Sequence, residues 1–258
     1  MAAITIEDMR AFAARRLARD NLVIAVVGDI SADELAPLLD ATFGGLPEVA
    51  APAEVAEAAP ETTGAVTVVP RDIPQCVMVF GQAGLKRDDP DWYGAYVMNY
   101  VLGGGGFNSW LYREVREKRG LAYSVYSYLD PLDYAGLILG GVGTRNDRAR
   151  ESLDLIRAEW RRMREAGPAA EELADAKTFL TGSFALRLDS TDRIAGILVS
   201  IQLDDLGIDY LDRRAALIEA VSLEDVRRIA KRLLDPDALT FVVVGQPDAA
   251  GAPPGGGS

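Results

Sequence analysis

The chain has 258 residues, 49% of them hydrophobic and 26% charged, a composition that suits one large globular domain or a domain plus a fragment of another. Its formal charge of -12 repels polyanions and removes the basic footprint on which nucleic-acid binding rests. There is no histidine and a single cysteine, so imidazole-based nucleophilic systems, zinc sites built on imidazole and an internal disulfide are all excluded.

In chain order, the N-terminal "MAAITIEDMR" shows neither the basic region nor the apolar core of a signal peptide. No later apolar run reaches the roughly 18 residues a membrane helix needs. Thr5–Asp29 predicts a capped amphipathic helix, an Asp-containing turn and a β-branched strand closed by Gly28. The same pattern returns at Ser222–Gln246, ungapped, at an offset of 217, with 11 of the 25 aligned positions identical. That period is far too long for a solenoid and implies two homologous units in tandem. On this basis residues 1–46 are the tail of one unit and 47–64, rich in Ala, Pro and Glu, a linker. Residues 65–247 are then a complete unit and 248–258 a disordered tail.

Within 65–247, strands are predicted at Val66–Val69 and Cys76–Phe80, with Cys76 a small buried hydrophobe. Asp89 and Pro90 suit the N-cap and first position of a helix bearing Tyr93, Tyr96, Val97 and Tyr100. A second short helix, capped by Asn108 or Ser109, ends at Gly120. Strands follow at Leu121–Leu129 and Leu137–Val142, then helices near 147–165, 169–188, 191–206, 209–220 and 222–234, and a strand at 239–244. Strands first, then helices, then a returning strand define an α+β fold, a mostly antiparallel sheet with helices on one face.

The stretch "GGGGFNSWLYREVREKRGLAYSV" (Gly103–Val125) carries the functional question. A phosphate loop would need Lys and Ser or Thr after the last glycine, and a dinucleotide fingerprint would need a strand before the first; neither is present. The run is a turn or the rim of a groove. In the helix after it, Trp110, Leu111 and Val115 face inward, while Arg113, Glu114, Arg116, Glu117 and Lys118 form a solvated face. In the strand, Tyr123 falls on one face with Leu121 and Val125, and Tyr126 with Tyr128 on the other.

"LGGGGFNSWLYREVREKRGLAYSVYSYL", "NLVIAVVGDISADELAPLLDATFGGLP" and "SLEDVRRIAKRLLDPDALTFVVVG" together resemble the C-terminal half of the M16 (pitrilysin/insulinase-like, mitochondrial processing peptidase-like) zinc metallopeptidases, over nearly all of residues 5–247. The resemblance implies two homologous α+β halves closing around a peptide chamber, which accounts for the repeat. The family's zinc motif, H-x-x-E-H, belongs to the other half, so no metal or catalytic residue is expected in this chain and zinc is expected in a partner half or subunit. What this half contributes by resemblance is an Arg and a Tyr seven residues apart, here Arg116 and Tyr123, reaching the scissile region of a peptide substrate. Gly103, Gly104, Gly105, Gly106 and Phe107 become a rim beside that substrate. The family often has Ser-Arg after the glycines; here it is Ser109-Trp110. The alternatives are a structural M16 homologue that assembles without turnover and a free-standing peptide-binding protein. Family members occur in bacterial periplasm and cytoplasm alike, so the compartment stays open.

Overall fold

The computed structural model describes residues 3–51 and 54–247, so the disordered-tail expectation for 248–258 lies outside the described residues. The chain divides into two compact units, residues 1–56 with 183–210, and 57–182 with 211–258.

The first unit opens with α1 (Ile6–Arg16). Thr5 Oγ1 accepts from the Asp8 N–H at 3.1 Å and the Asp8 carboxylate accepts from the Thr5 N–H at 2.9 Å, a reciprocal cap that satisfies two orphan donors. A second capping box, Ser31 with Glu34, starts α2 (Ala32–Phe43). Between them the predicted strand does not form: Leu22–Val27 carries no ladder hydrogen bonds. Strands are stable only in pairs, and no partner strand lies beside this one among the described residues. Neither helix buries a residue. Pro47–Ala51 is tied down, with Arg19 N–H donating to Pro47 O at 2.9 Å and Ala51 N–H to Arg15 O at 2.8 Å.

The second unit holds the sheet. Strands β1 (Val66–Pro70), β2 (Gln75–Ala83), β3 (Ala122–Leu132), β4 (Ala135–Arg145) and β5 (Thr240–Gly245) lie in the order β1-β5-β2-β4-β3. Only β1 and β5 run parallel. Strict alternation along β2 sends Cys76, Met78, Phe80 and Gln82 inward and leaves Val77 and Val79 exposed. Helices α3 (Trp92–Asn99), α4 (Ala149–Ala166), α5 (Ala170–Gly182) and α8 (Leu223–Leu233) pack on the inward face; α6 (Thr191–Leu203) belongs to the first unit, and α7 (Tyr210–Glu219) precedes α8. Gly64 N–H, at the end of the expected linker, donates to Ala238 O at 3.1 Å, so this stretch is fixed to the sheet's end.

The core is closed by aromatic contacts and by one buried polar link. Phe80 meets Trp160 edge-on and Phe241 at a tilt, both at 5.5 Å, and the Trp160 indole N–H donates to the buried Gln82 amide oxygen at 3.0 Å. Asp89 and Pro90 do not begin α3, which starts at Trp92. Instead Asp89 forms a turn, accepting from the Asp91 N–H at 2.8 Å, and both aspartates are gripped from α8 by Arg232, with Arg228 also on Asp91. The Asp91 carboxyl is held below its usual pKa, chiefly by the Arg228 hydrogen bonds, and Asp89 likewise by Arg232, in both cases against burial.

Candidate functional site

After α3 the chain widens into a π-type turn, Tyr100–Gly104, marked by Gly105 N–H donating to Tyr100 O at 2.8 Å. The glycines then serve close packing more than mobility. A Cβ on Gly103 would lie 2.3 Å from Ser127 Oγ, one on Gly104 2.8 Å from the Asn99 amide nitrogen, and one on Gly105 2.6 Å from Tyr100 O. Gly103 is buried and does not reach the surface. Gly106, at φ +55°, turns the chain outward and exposes Phe107. Of the expected rim, Gly104, Gly106 and Phe107 face solvent.

Ser109 caps the next helix, its Oγ accepting from the Tyr112 N–H at 3.4 Å. This helix too is π-wound over Tyr112–Glu117, with Lys118 N–H donating to Arg113 O at 2.9 Å. Gly120, at φ +61°, ends it while its N–H bonds Arg116 O, and Leu121 N–H bonds Val115 O, both at 2.9 Å. The sharp end returns the chain toward Arg116 and feeds directly into β3.

A bulge in β3 then decides where Tyr123 points. The β3–β4 register shifts between Ala122 and Ser124, so Tyr123 is the extra residue. Simple alternation would group it with Leu121 and Val125, which are buried; the bulge turns it out instead, to 81% exposure. Its ring then lies 4.8 Å from the Arg116 guanidinium carbon. Tyr112, one helical turn before Arg116, packs under the same guanidinium at 4.7 Å, and Phe107, edge-on to Tyr112, stands at 5.9 Å.

Arg116 is thus held by three rings and forms no ion pair or hydrogen bond among the described residues. Its neighbours differ. Arg113 pairs with Glu172 at 2.7 Å, and Lys118 and Arg119 share Glu114 at 2.6 and 2.7 Å. These two bonds hold Glu114 below its usual pKa. Burial raises Glu172, but hydrogen bonds from the Ala169 N–H, Arg113 and the Trp110 indole outweigh it and leave the carboxyl lowered. Three of the four cations here are paired, Arg113 with Glu172 and Lys118 and Arg119 with the one carboxylate of Glu114; the fourth offers its N–H fork to whatever approaches.

The resemblance pointed to Arg116 and Tyr123, whose side chains lie together here, and gave no sign of Tyr112 or Glu172. An aromatic four residues before an arginine on a helix was the available signal for Tyr112. Glu172 lies too far along the chain to be read from spacing. Beside the site, the outer sheet face presents Tyr126 and Tyr128, stacked at 6.2 Å, with Val77, Val79 and Val242, all exposed.

Among the described residues no group of three or more His, Cys, Asp or Glu side chains is placed to hold a metal ion. With no histidine in the sequence, the residues here do not fit the family's imidazole zinc site. No helix among the described residues is long and apolar enough to cross a membrane.

The fold, in a sequence that lacks the histidines of the zinc motif, is that of an M16 inactive domain. The family described as the peptidase M16 inactive domain matches residues 3–180, and the chain belongs to it. An uncharacterized zinc protease of Streptomyces coelicolor is 31% identical over 241 residues, 90% of this chain and 52% of that protein. A non-peptidase homologue from Helicobacter pylori is 28% identical, over 93% of this chain and 56% of the relative. The chain therefore spans about half the length of these curated relatives. Among solved structures, a peptidase M16 inactive domain from Pseudomonas fluorescens superposes with a TM-score of 0.84 at 32% identity, covering 97% of this chain and 60% of that one.

Proposed function

We propose that this chain is the non-zinc-binding part of an M16-type peptidase, working with a homologous half or subunit that carries H-x-x-E-H and zinc. The observation that carries this is the Arg116 guanidinium, held against three rings with no counter-ion among the described residues and flanked by the exposed Tyr123 hydroxyl. Hydrolysis of a peptide builds negative charge on the carbonyl oxygen. Preorganised N–H and O–H donors that need no rearrangement stabilise that charge most. Arg116 and Tyr123 are such donors, oriented toward a substrate backbone that crosses the open sheet face beside β3, an edge strand with one free side. Gly104, Gly106 and Phe107 form the rim. In this role residues 65–247 are the working unit and residues 1–46 complete a preceding homologous half.

In the assembled enzyme, Arg116→Ala is expected to lower kcat/KM for a peptide about 100-fold and Tyr123→Phe about 10-fold, as loss of single oxyanion donors does. Neither change should move the thermal midpoint, because both side chains are at the surface. Unchanged turnover would overturn the role. The name of the Helicobacter pylori relative favours one alternative, an assembly subunit without turnover. Mixing the chain with an H-x-x-E-H half separates the two: peptide hydrolysis that requires this chain supports the peptidase, and a stable complex with no hydrolysis supports the assembly subunit.

A further inference from the structure

Trp110 stands where the family often has arginine, and it is buried, at 1% exposure. A buried indole N–H needs an acceptor, and this one donates to Glu172 Oε1 at 2.7 Å. Arg113, one turn further along the same helix face, donates to the same oxygen, also at 2.7 Å. The other oxygen, Oε2, accepts from the Ala169 N–H at 3.0 Å, which fixes the carboxylate at the start of α5. On its ring face Trp110 carries the Arg162 guanidinium at 3.8 Å, and Arg162 is held by the buried Glu159 of α4 at 3.1 Å.

The helix that carries Arg116 is thus tied to α4 and α5 through Trp110 and Arg113. Tyr112, whose ring supports Arg116, lies between these two ties, and Phe107 packs edge-on against Tyr112. A π-wound segment seldom persists beyond a single turn, so Tyr112–Glu117 depends on such outside ties for its shape. Glu172 also occupies Arg113. Freed, that guanidinium would stand one turn from Arg116 as a like charge and a competing donor.

We propose that Glu172 is the positioning residue for Arg116, holding the ring cage in place through Trp110 and keeping Arg113 out of the site. The proposal rests on the peptidase reading for its kinetic test, while a second test needs no turnover. In the assembled enzyme, Glu172→Ala should lower kcat about 10-fold with little change in KM, because a misplaced donor is lost to the transition state more than to the bound substrate. In an Arg116→Ala background the same substitution should change kcat less than about 2-fold, since nothing is left to position. A merely structural Glu172 would cost the same factor in both backgrounds, and that result would overturn the proposal. In the chain alone, the Arg116 side-chain Nε–H resonance, identified by its loss in Arg116→Ala, reports the cage through the ring currents of the three aromatics. Glu172→Ala should move it toward the position of exposed arginines, and a resonance that stays put would equally overturn the proposal. Should the alanine variant fail to fold, Glu172→Gln, isosteric but uncharged, carries both tests. The peptidase reading fails separately, through unchanged turnover of the Arg116→Ala enzyme.

Discussion

The two copies of the 25-residue repeat have nearly the same sequence pattern and opposite burial. In the second, Val226, Ile229 and Leu234 of α8 and its C-cap, followed by Phe241 and Val243 of β5, are each at most 1% exposed. The residues 217 positions earlier include Met9, Phe12 and Leu17, at 64%, 57% and 58% exposure. Both copies start with the same capping box. Local sequence therefore fixes the helix in each case and leaves burial open. Only β5 finds two neighbours, β1 and β2, and only α8 finds the helices and sheet to cover it. In the proposed reading, the apolar face that is core in the second copy and exposed in the first is where a unit of the same kind would pack.

The comparison can be broken in several ways. The largest expected effect is on packing: Ile229→Ala should cost about 2–5 kcal/mol of stability, whereas Phe12→Ala, at the matching position, should cost under about 0.5 kcal/mol. Urea unfolding of both variants checks this, and equal losses would mean the first copy is packed after all.

Next come the ion pairs of α8, which have no counterpart among the described residues of α1: Ala11 stands at the position of Arg228, and Arg15, which matches Arg232, donates to Ala11 O at 3.2 Å. Because the Asp89 and Asp91 pKa values are depressed in the folded state, the stability they contribute is present above the unfolded aspartate value near 4. It is lost as pH falls through the lower folded values. Asp91→Asn should therefore be less stable than the parent chain at pH 7, with the gap closing in unfolding curves taken below about pH 3. A gap that is constant with pH would refute the pairing.

The smallest effect separates the caps. Ser222→Ala should lower global stability by about 1 kcal/mol. Thr5→Ala should reduce helical signal from α1 with no change in the unfolding midpoint of the sheet.

Sequence alone made the sheet unit legible. Alternation along β2, the glycine-bounded helices and the returning β5 strand are local signals that the packed structure keeps. What it could not show is what depends on distant chain. The strand at Leu22–Val27 reads as well as β5 but has nothing beside it. Tyr123 alternates with the core until a bulge turns it out, and a bulge is a property of two strands. Asp89 looks like a cap because its partner Arg232 is 143 residues away. At the site, Arg116 read as one more solvated charge on a charged helix. Its distinction appears only once Glu114 and Glu172 are seen to pair with the cations around it and not with Arg116.

Amide hydrogen exchange at Leu22–Val27, measured for the chain alone and after assembly with an H-x-x-E-H-bearing M16 half, tests the account most directly. Alone, these amides should exchange almost as fast as unstructured backbone, while those of Thr240–Gly245 stay protected. In the assembly they should become protected to a similar degree as β5, because the strand would then have neighbours. Fast exchange at Leu22–Val27 in an assembly that hydrolyses peptide would contradict the account.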